Sequence, residues 1–160
     1  MERARSTAAV RSGIDTDVAQ GAVVPPVYLS TNYSFRGLRE PREFDYSRAG
    51  NPARSMLAAA LAELEGAAGA VVTASGMGAI TATLSALAGP GDVVVAPHDA
   101  YGGTWRLLDA LARKGAFTLE LTDLTAPDAV ARVVDLAPAV VWIETPSNPL
   151  LGISDLRALA

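Results

Sequence analysis

The chain has 160 residues, half of them hydrophobic, with 13 basic and 17 acidic side chains and a formal charge of -4. That is enough for a packed core and excludes a disordered chain, and the mild acidity argues against the clustered basic face of a nucleic-acid binder. There is no cysteine and a single histidine, His98, which excludes a disulfide framework, thiolate catalysis and a Cys- or His-rich metal site.

No apolar run approaches the roughly 20 residues of a membrane-spanning helix. The N-terminal "MERARSTAAVRSG" carries charge without a following apolar core, so it does not read as a secretory signal. The expectation is a cytoplasmic protein with no membrane, metal or nucleic-acid partner. Residues 1–51 show no sustained period. Acidic residues are interspersed with the arginines there as on a solvated surface, and "VVPPVYLSTNYSF" reads as an extended arm because Pro25-Pro26 forbids helix. Such an arm needs something to pack on, its own domain or a partner subunit.

Regularity begins at Asn51, a good N-cap followed by Pro52 at the first helical position. Ala53, Met56, Leu57, Ala60, Leu61 and Leu64 then recur at helical spacing, and Gly66 or Gly69 can end the helix. "AVVTA" (70–74) reads as a strand, 76–88 as a helix stopped by "GPG", and "DVVVAP" as a strand buried on both faces. A helix is predicted over 103–114, an alternating strand at "AFTLELT", a helix from Pro127 to Leu136 and a buried strand at "AVVWIE". This alternation predicts a doubly wound, mostly parallel α/β sheet. Ligands of such sheets bind beyond the carboxyl ends of the strands, which draws attention to "SGMGA", "HDAYGGT" and "TPSNP".

"TASGMGAI" places small residues at a helix start, where unpaired N–H groups and the dipole attract phosphate. Ser75 can cap that helix, and Gly76 and Gly78 let a ligand approach the backbone. Plain helix-start chemistry needs the same residues, so both readings stand at this point. A dinucleotide fingerprint fails, because Thr81 occupies its third glycine position. A P-loop fails as well, because Lys114 is the only lysine. Tyr101 follows the neighbouring strand. It is either a packed core tyrosine or a flat platform for a cofactor ring whose phosphate sits on Ser75, Gly76 and Met77, a combination that suggests pyridoxal phosphate. His98 and Asp99 point to opposite faces at a strand end and read as structural. Glu144 reads as ordering the loop after its strand, and Trp105 and Trp142 read as core.

Four ordered segments, "YSRAGNPA" (46–53), "ELEGAAGAVVTASGMGAI" (63–80), "PHDAYGGTWRL" (97–107) and "ETPSNPLL" (144–151), together resemble the Cys/Met-metabolism family of pyridoxal-phosphate enzymes. The likeness runs from about Gly13 to the last residue. It implies a three-layer αβα domain of the fold type I pyridoxal-phosphate transferase class, with residues 1–51 as an arm against a neighbouring subunit and 52–160 as the first part of the cofactor-binding domain. It implies that Gly76 and Met77 give N–H groups to the cofactor phosphate and that Tyr101 stacks on the pyridine ring. Tyr46 and Arg48 would reach the phosphate of a neighbouring subunit, where the planar guanidinium suits phosphate oxygens. Asn148 would lie near the ring oxygen and substrate carboxylate, and Arg106 near a distal substrate carboxylate.

The resemblance further implies a homo-oligomer, a dimer of dimers, acting on small amino-acid substrates. The implied reaction is γ-replacement, in which cysteine displaces the acyl group of O-succinyl- or O-acetylhomoserine on the way to methionine. The lyase and sulfhydrylase branches of the family share these motifs. Pyridoxal-phosphate chemistry also needs a lysine to hold the cofactor and move protons. Lys114 does not match that motif and reads as a helix-end cation. The chain is therefore expected to be the N-terminal part of a longer enzyme, with no catalytic residue of its own and inactive alone. A non-catalytic phosphate-binding domain is the competing expectation.

Overall fold

The structure, a computed structural model, describes residues 4–160; Met1 to Arg3, the start of the N-terminal arm, lie outside the described residues. The chain forms two compact units, Met1–Val72 and Thr73–Ala160.

In the first unit, helix α1 (Arg5–Arg11) packs on helix α2 (Pro52–Glu65), with Ala8 and Ala62 buried. No helix was expected at α1. Its seven residues are too few to be stable alone, so packing on α2 rather than local pattern sets it. The start of α2 is as expected: Pro52 opens the helix and the Asn51 Oδ1 accepts the Ala53 N–H at 2.9 Å. The Asn51 amide also donates to the Tyr28 carbonyl (3.1 Å) and the Tyr33 hydroxyl (3.2 Å), tying the helix start to the arm. Gly66 ends α2 in the left-handed region at φ 66°, where a side chain would be strained. Leu57 and Leu61, expected on the apolar face, remain exposed.

The second unit is built on strand β1 (Val93–Pro97), with β2 (Thr118–Thr122) and β3 (Val140–Val141) on either side, all parallel in the order β2-β1-β3. As predicted, β1 is buried on both faces. Val94 and Ala96 pack with Leu84 of helix α3 (Gly76–Leu87), Leu108 of helix α4 (Gly102–Arg113) and Phe117. Val95 points the other way, to Leu124 and to Val133 of helix α5 (Ala129–Leu136). Alternate side chains of one strand thus serve two cores, giving helix, sheet and helix layers. A short helix α6 (Leu156–Leu159) is capped by Asp155, whose carboxylate accepts the Arg157 and Ala158 N–H groups.

Three expectations are corrected. "AVVTA" forms no strand: no described residue offers it a ladder, and Val71 is 86% exposed. The strand predicted at "AVVWIE" is short. Val93 and Val95 accept the Ala139 and Trp142 N–H groups, but the next donor on that side of β1 would be Pro97, which has no N–H. Trp105, read as core, is 40% exposed on α4, whereas Trp142 is half-buried against the first core.

Leu108 is fully buried at the centre of the larger core. Leu108→Ala in the full-length protein is expected to destabilise it by about 2–5 kcal/mol through lost burial and a residual cavity. A lower denaturation midpoint at unchanged slope would report this loss.

Candidate functional site

Strand order fixes where a site can form. β2 and β3 flank β1 on opposite sides, so the chain reverses its direction of winding at the carboxyl end of β1. In open parallel sheets this is where ligands bind, beyond the carboxyl ends of two such neighbouring strands. The loop after β1 carries Tyr101 and the start of α4; the loop after β3 carries Glu144 and "TPSNP".

Helix α3 begins within the same unit. The Ser75 Oγ accepts the Gly78 N–H at 3.1 Å, so its own proton remains available to donate. The N–H groups of Gly76 and Met77 have no acceptor among the described residues. Gly103, in the first turn of α4, brings the next pieces together. A Cβ at Gly103 would stand 2.5 Å from Tyr101 Cε1 and 2.9 Å from Met77 Sδ. The ring of Tyr101 and the sulfur of Met77 therefore lie together in a space that only glycine leaves open. Tyr101 is 51% exposed, so it is not closed off by the protein around it. The aromatic ring and the open helix start are thus neighbours.

Glu144, three residues beyond β3, holds this arrangement. Its Oε2 accepts the Tyr101 N–H at 2.6 Å, and its Oε1 accepts the Thr104 hydroxyl at 2.6 Å and the Trp142 indole N–H at 3.1 Å. Burial pushes the carboxyl up, but the three hydrogen bonds outweigh it and leave Glu144 below its ordinary value; Asp99 opposes them weakly. Sequence reasoning assigned Glu144 to its own loop and missed its reach to α4. Gly103 was missed too, although the Gly-Gly pair after Tyr101 was the available signal.

The remaining predicted site residues make no hydrogen bond to Tyr101 or Glu144. Arg106 is exposed, with Nη1 3.3 Å from where a Gly102 Cβ would stand, so its guanidinium lies over the start of α4. Asn148 is exposed, and its side chain makes no hydrogen bond among the described residues. In the first unit, Tyr46 pairs with Asn32 through an isolated bridge. The Arg48 guanidinium lies 5.1 Å from the Tyr46 ring centroid and donates to its hydroxyl. Lys114 caps the end of α4, exposed. His98, exposed, and Asp99, half-buried, lie in the turn that follows β1 rather than on the strand. Among the described residues no cluster of His, Cys, Asp or Glu could hold a metal ion, and no helix is long and apolar enough to cross a membrane.

A three-layer α/β unit with an open helix start and an aromatic ring beside its switch point belongs to the class of α/β domains that bind small ligands at the strand ends. The family of Cys/Met metabolism PLP-dependent enzymes matches residues 6–160, and the chain belongs to that family. Cystathionine γ-synthase of Escherichia coli K12 is 48% identical over 99% of this chain and 41% of its own length. A cystathionine β-lyase of Lactococcus lactis is 38% identical over 96% of this chain and 40% of its own. The crystal structure of cystathionine γ-synthase from Xanthomonas oryzae pv. oryzae, in complex with aminoacrylate and cysteine, superposes with a TM-score of 0.94 at 56% identity, over 99% of this chain and 41% of that one. The chain thus spans about two fifths of the length of the relatives it matches. The family depends on pyridoxal phosphate. The open N–H groups at α3 and the exposed aromatic Tyr101 beside them fit that cofactor's phosphate and flat ring.

Because Glu144 is lower in the folded than in the unfolded state, its contribution to stability is complete above the ordinary glutamate range. That contribution is lost as pH falls through the lowered folded value. Glu144→Gln is expected to cost about 1–3 kcal/mol at neutral pH, since an amide leaves one inward donor unpaired. Its unfolding free energy should also fall less steeply than wild type across the acid window, as read by denaturant titrations at several pH values.

Proposed function

We propose that the full-length protein containing this chain is a cystathionine γ-synthase. The observation that carries this reading is the Gly103 cradle, which holds the Tyr101 ring beside Met77 at the open start of α3. In this reading the Ser75 hydroxyl and the Gly76 and Met77 N–H groups bind the cofactor phosphate, and Tyr101 stacks on the ring. When bound, pyridoxal phosphate supplies the electron sink that lets a substituent leave the γ-carbon of an amino acid. Asn148 orients the ring oxygen and the substrate carboxylate, and Arg106 receives a distal carboxylate. The γ-carbon–oxygen bond of O-succinyl- or O-acetylhomoserine breaks with release of the acid, and the sulfur of cysteine forms the new γ-carbon bond.

The lysine that holds the cofactor is proposed to lie outside these 160 residues, since Lys114, the only lysine among them, is exposed at the far end of α4. Residues 1–51 are proposed to form an arm on a neighbouring subunit, with Tyr46 and Arg48 reaching that subunit's phosphate in a dimer of dimers. The exposed Val23, Val24, Val27 and Leu29 support an arm that awaits a partner surface. The cytoplasm suits an enzyme working on free amino acids.

The lyase reading is tested directly. The full-length enzyme given O-succinylhomoserine and cysteine is expected to yield cystathionine as its main product. Release of keto acid from cystathionine at a faster rate would assign it to a lyase branch instead. Arg48→Ala is expected to weaken cofactor retention and subunit association together, with about a ten- to hundred-fold loss of cofactor affinity for one charge-assisted hydrogen bond. Wild-type mass in analytical ultracentrifugation together with wild-type affinity would remove Arg48 from the site.

A further inference from the structure

Tyr101 stands at the start of α4, yet that helix has no side-chain cap of its own. The carboxylate of Glu144 takes that place from the segment after β3, accepting the Tyr101 N–H on one oxygen and the buried Thr104 hydroxyl on the other. A negative group at a helix start is favoured by the dipole as well as by the hydrogen bonds. The third donor, the Trp142 indole, comes from the end of β3 and fixes the carboxylate in turn. Tyr101 itself is half exposed, so little burial holds its ring. Its position rests on its own backbone and on the contacts at Gly103 and Met77.

We infer that Glu144 is a positioning residue for Tyr101: by anchoring the first turn of α4 to the end of β3, it sets the angle at which the ring meets the cofactor. The inference rests on the proposed stacking role of Tyr101. Only an ionised carboxylate suits the position. Three donors converge on two oxygens, and a carboxylate accepts at both, whereas an amide presents a donor on one side. Glutamine has the same shape, so Glu144→Gln changes the hydrogen bonding with little change in volume.

The test uses the full-length protein, stripped of cofactor and titrated with pyridoxal 5'-phosphate. Affinity and the visible circular dichroism of the bound cofactor are read for wild type, Glu144→Gln, Tyr101→Ala and the double variant. The expected result is about a three- to ten-fold loss of affinity for each single variant, the size of one hydrogen bond or one aromatic contact. The dichroic band should weaken in Glu144→Gln, and the double variant should bind no worse than Tyr101→Ala, because coupled residues are not additive. Wild-type affinity and dichroism in Glu144→Gln beside a weakened Tyr101→Ala would overturn the inference and leave the stacking reading intact. Full additivity in the double variant would also overturn it, since Glu144 would then act elsewhere. Wild-type binding by Tyr101→Ala would sink the stacking reading and this inference with it. If Glu144→Gln does not fold, Thr104→Val removes one of the three donors; a weakened dichroic band is then expected, and an unchanged band overturns the inference.

Discussion

The burial of β1 on both faces is the constraint on which the second unit depends. A strand with helices on each side cannot shift register by one residue without turning Val95 into the wrong core and Val94 and Ala96 out of theirs. Its neighbours are locked in turn by the parallel ladders to β2 and β3. With the register held, the carboxyl ends of β1 and β3 lie side by side. Tyr101 and Glu144, 43 residues apart in sequence, then come within hydrogen-bonding distance.

Pro97 contributes to this in an unobtrusive way. It lacks the N–H that would carry the β1–β3 ladder one step further, so β3 parts from β1 just before Glu144. The backbone beyond Trp142 is released from pairing, and the Glu144 side chain spans the opening that results. Sheet termination and the placing of the carboxylate therefore have a common local cause.

The first unit is organised on a different scale. Asn51 serves two segments at once, capping α2 with its oxygen and holding the arm with its amide. Tyr46 and Arg48 sit a few residues before that junction, stacked on each other. An arginine already associated with an aromatic ring loses less freedom on meeting an anion than one extended into water. This gives a physical basis for the role proposed for the pair on a neighbouring subunit.

Much of the molecule was legible in the amino-acid sequence because its signals are local. The Asn51–Pro52 helix start, the cap by Ser75, the β-branched run of β1 and the glycine stops each act within a few residues. The ordered motifs around Tyr46, Gly76, Tyr101 and Asn148 pointed to the family that the comparisons then showed. Other features belong to tertiary structure alone. "AVVTA" carries strand propensity, but a strand exists only where a partner supplies the ladder. α1 forms because α2 offers a surface for Ala8, and Trp105 stays exposed because helix phase, not hydrophobicity, decides which way it points. The reach of Glu144 to α4 and the need for glycine at 103 arise from contacts between segments far apart in the chain. No local pattern encodes such contacts; packing of the sheet and its helices decides them.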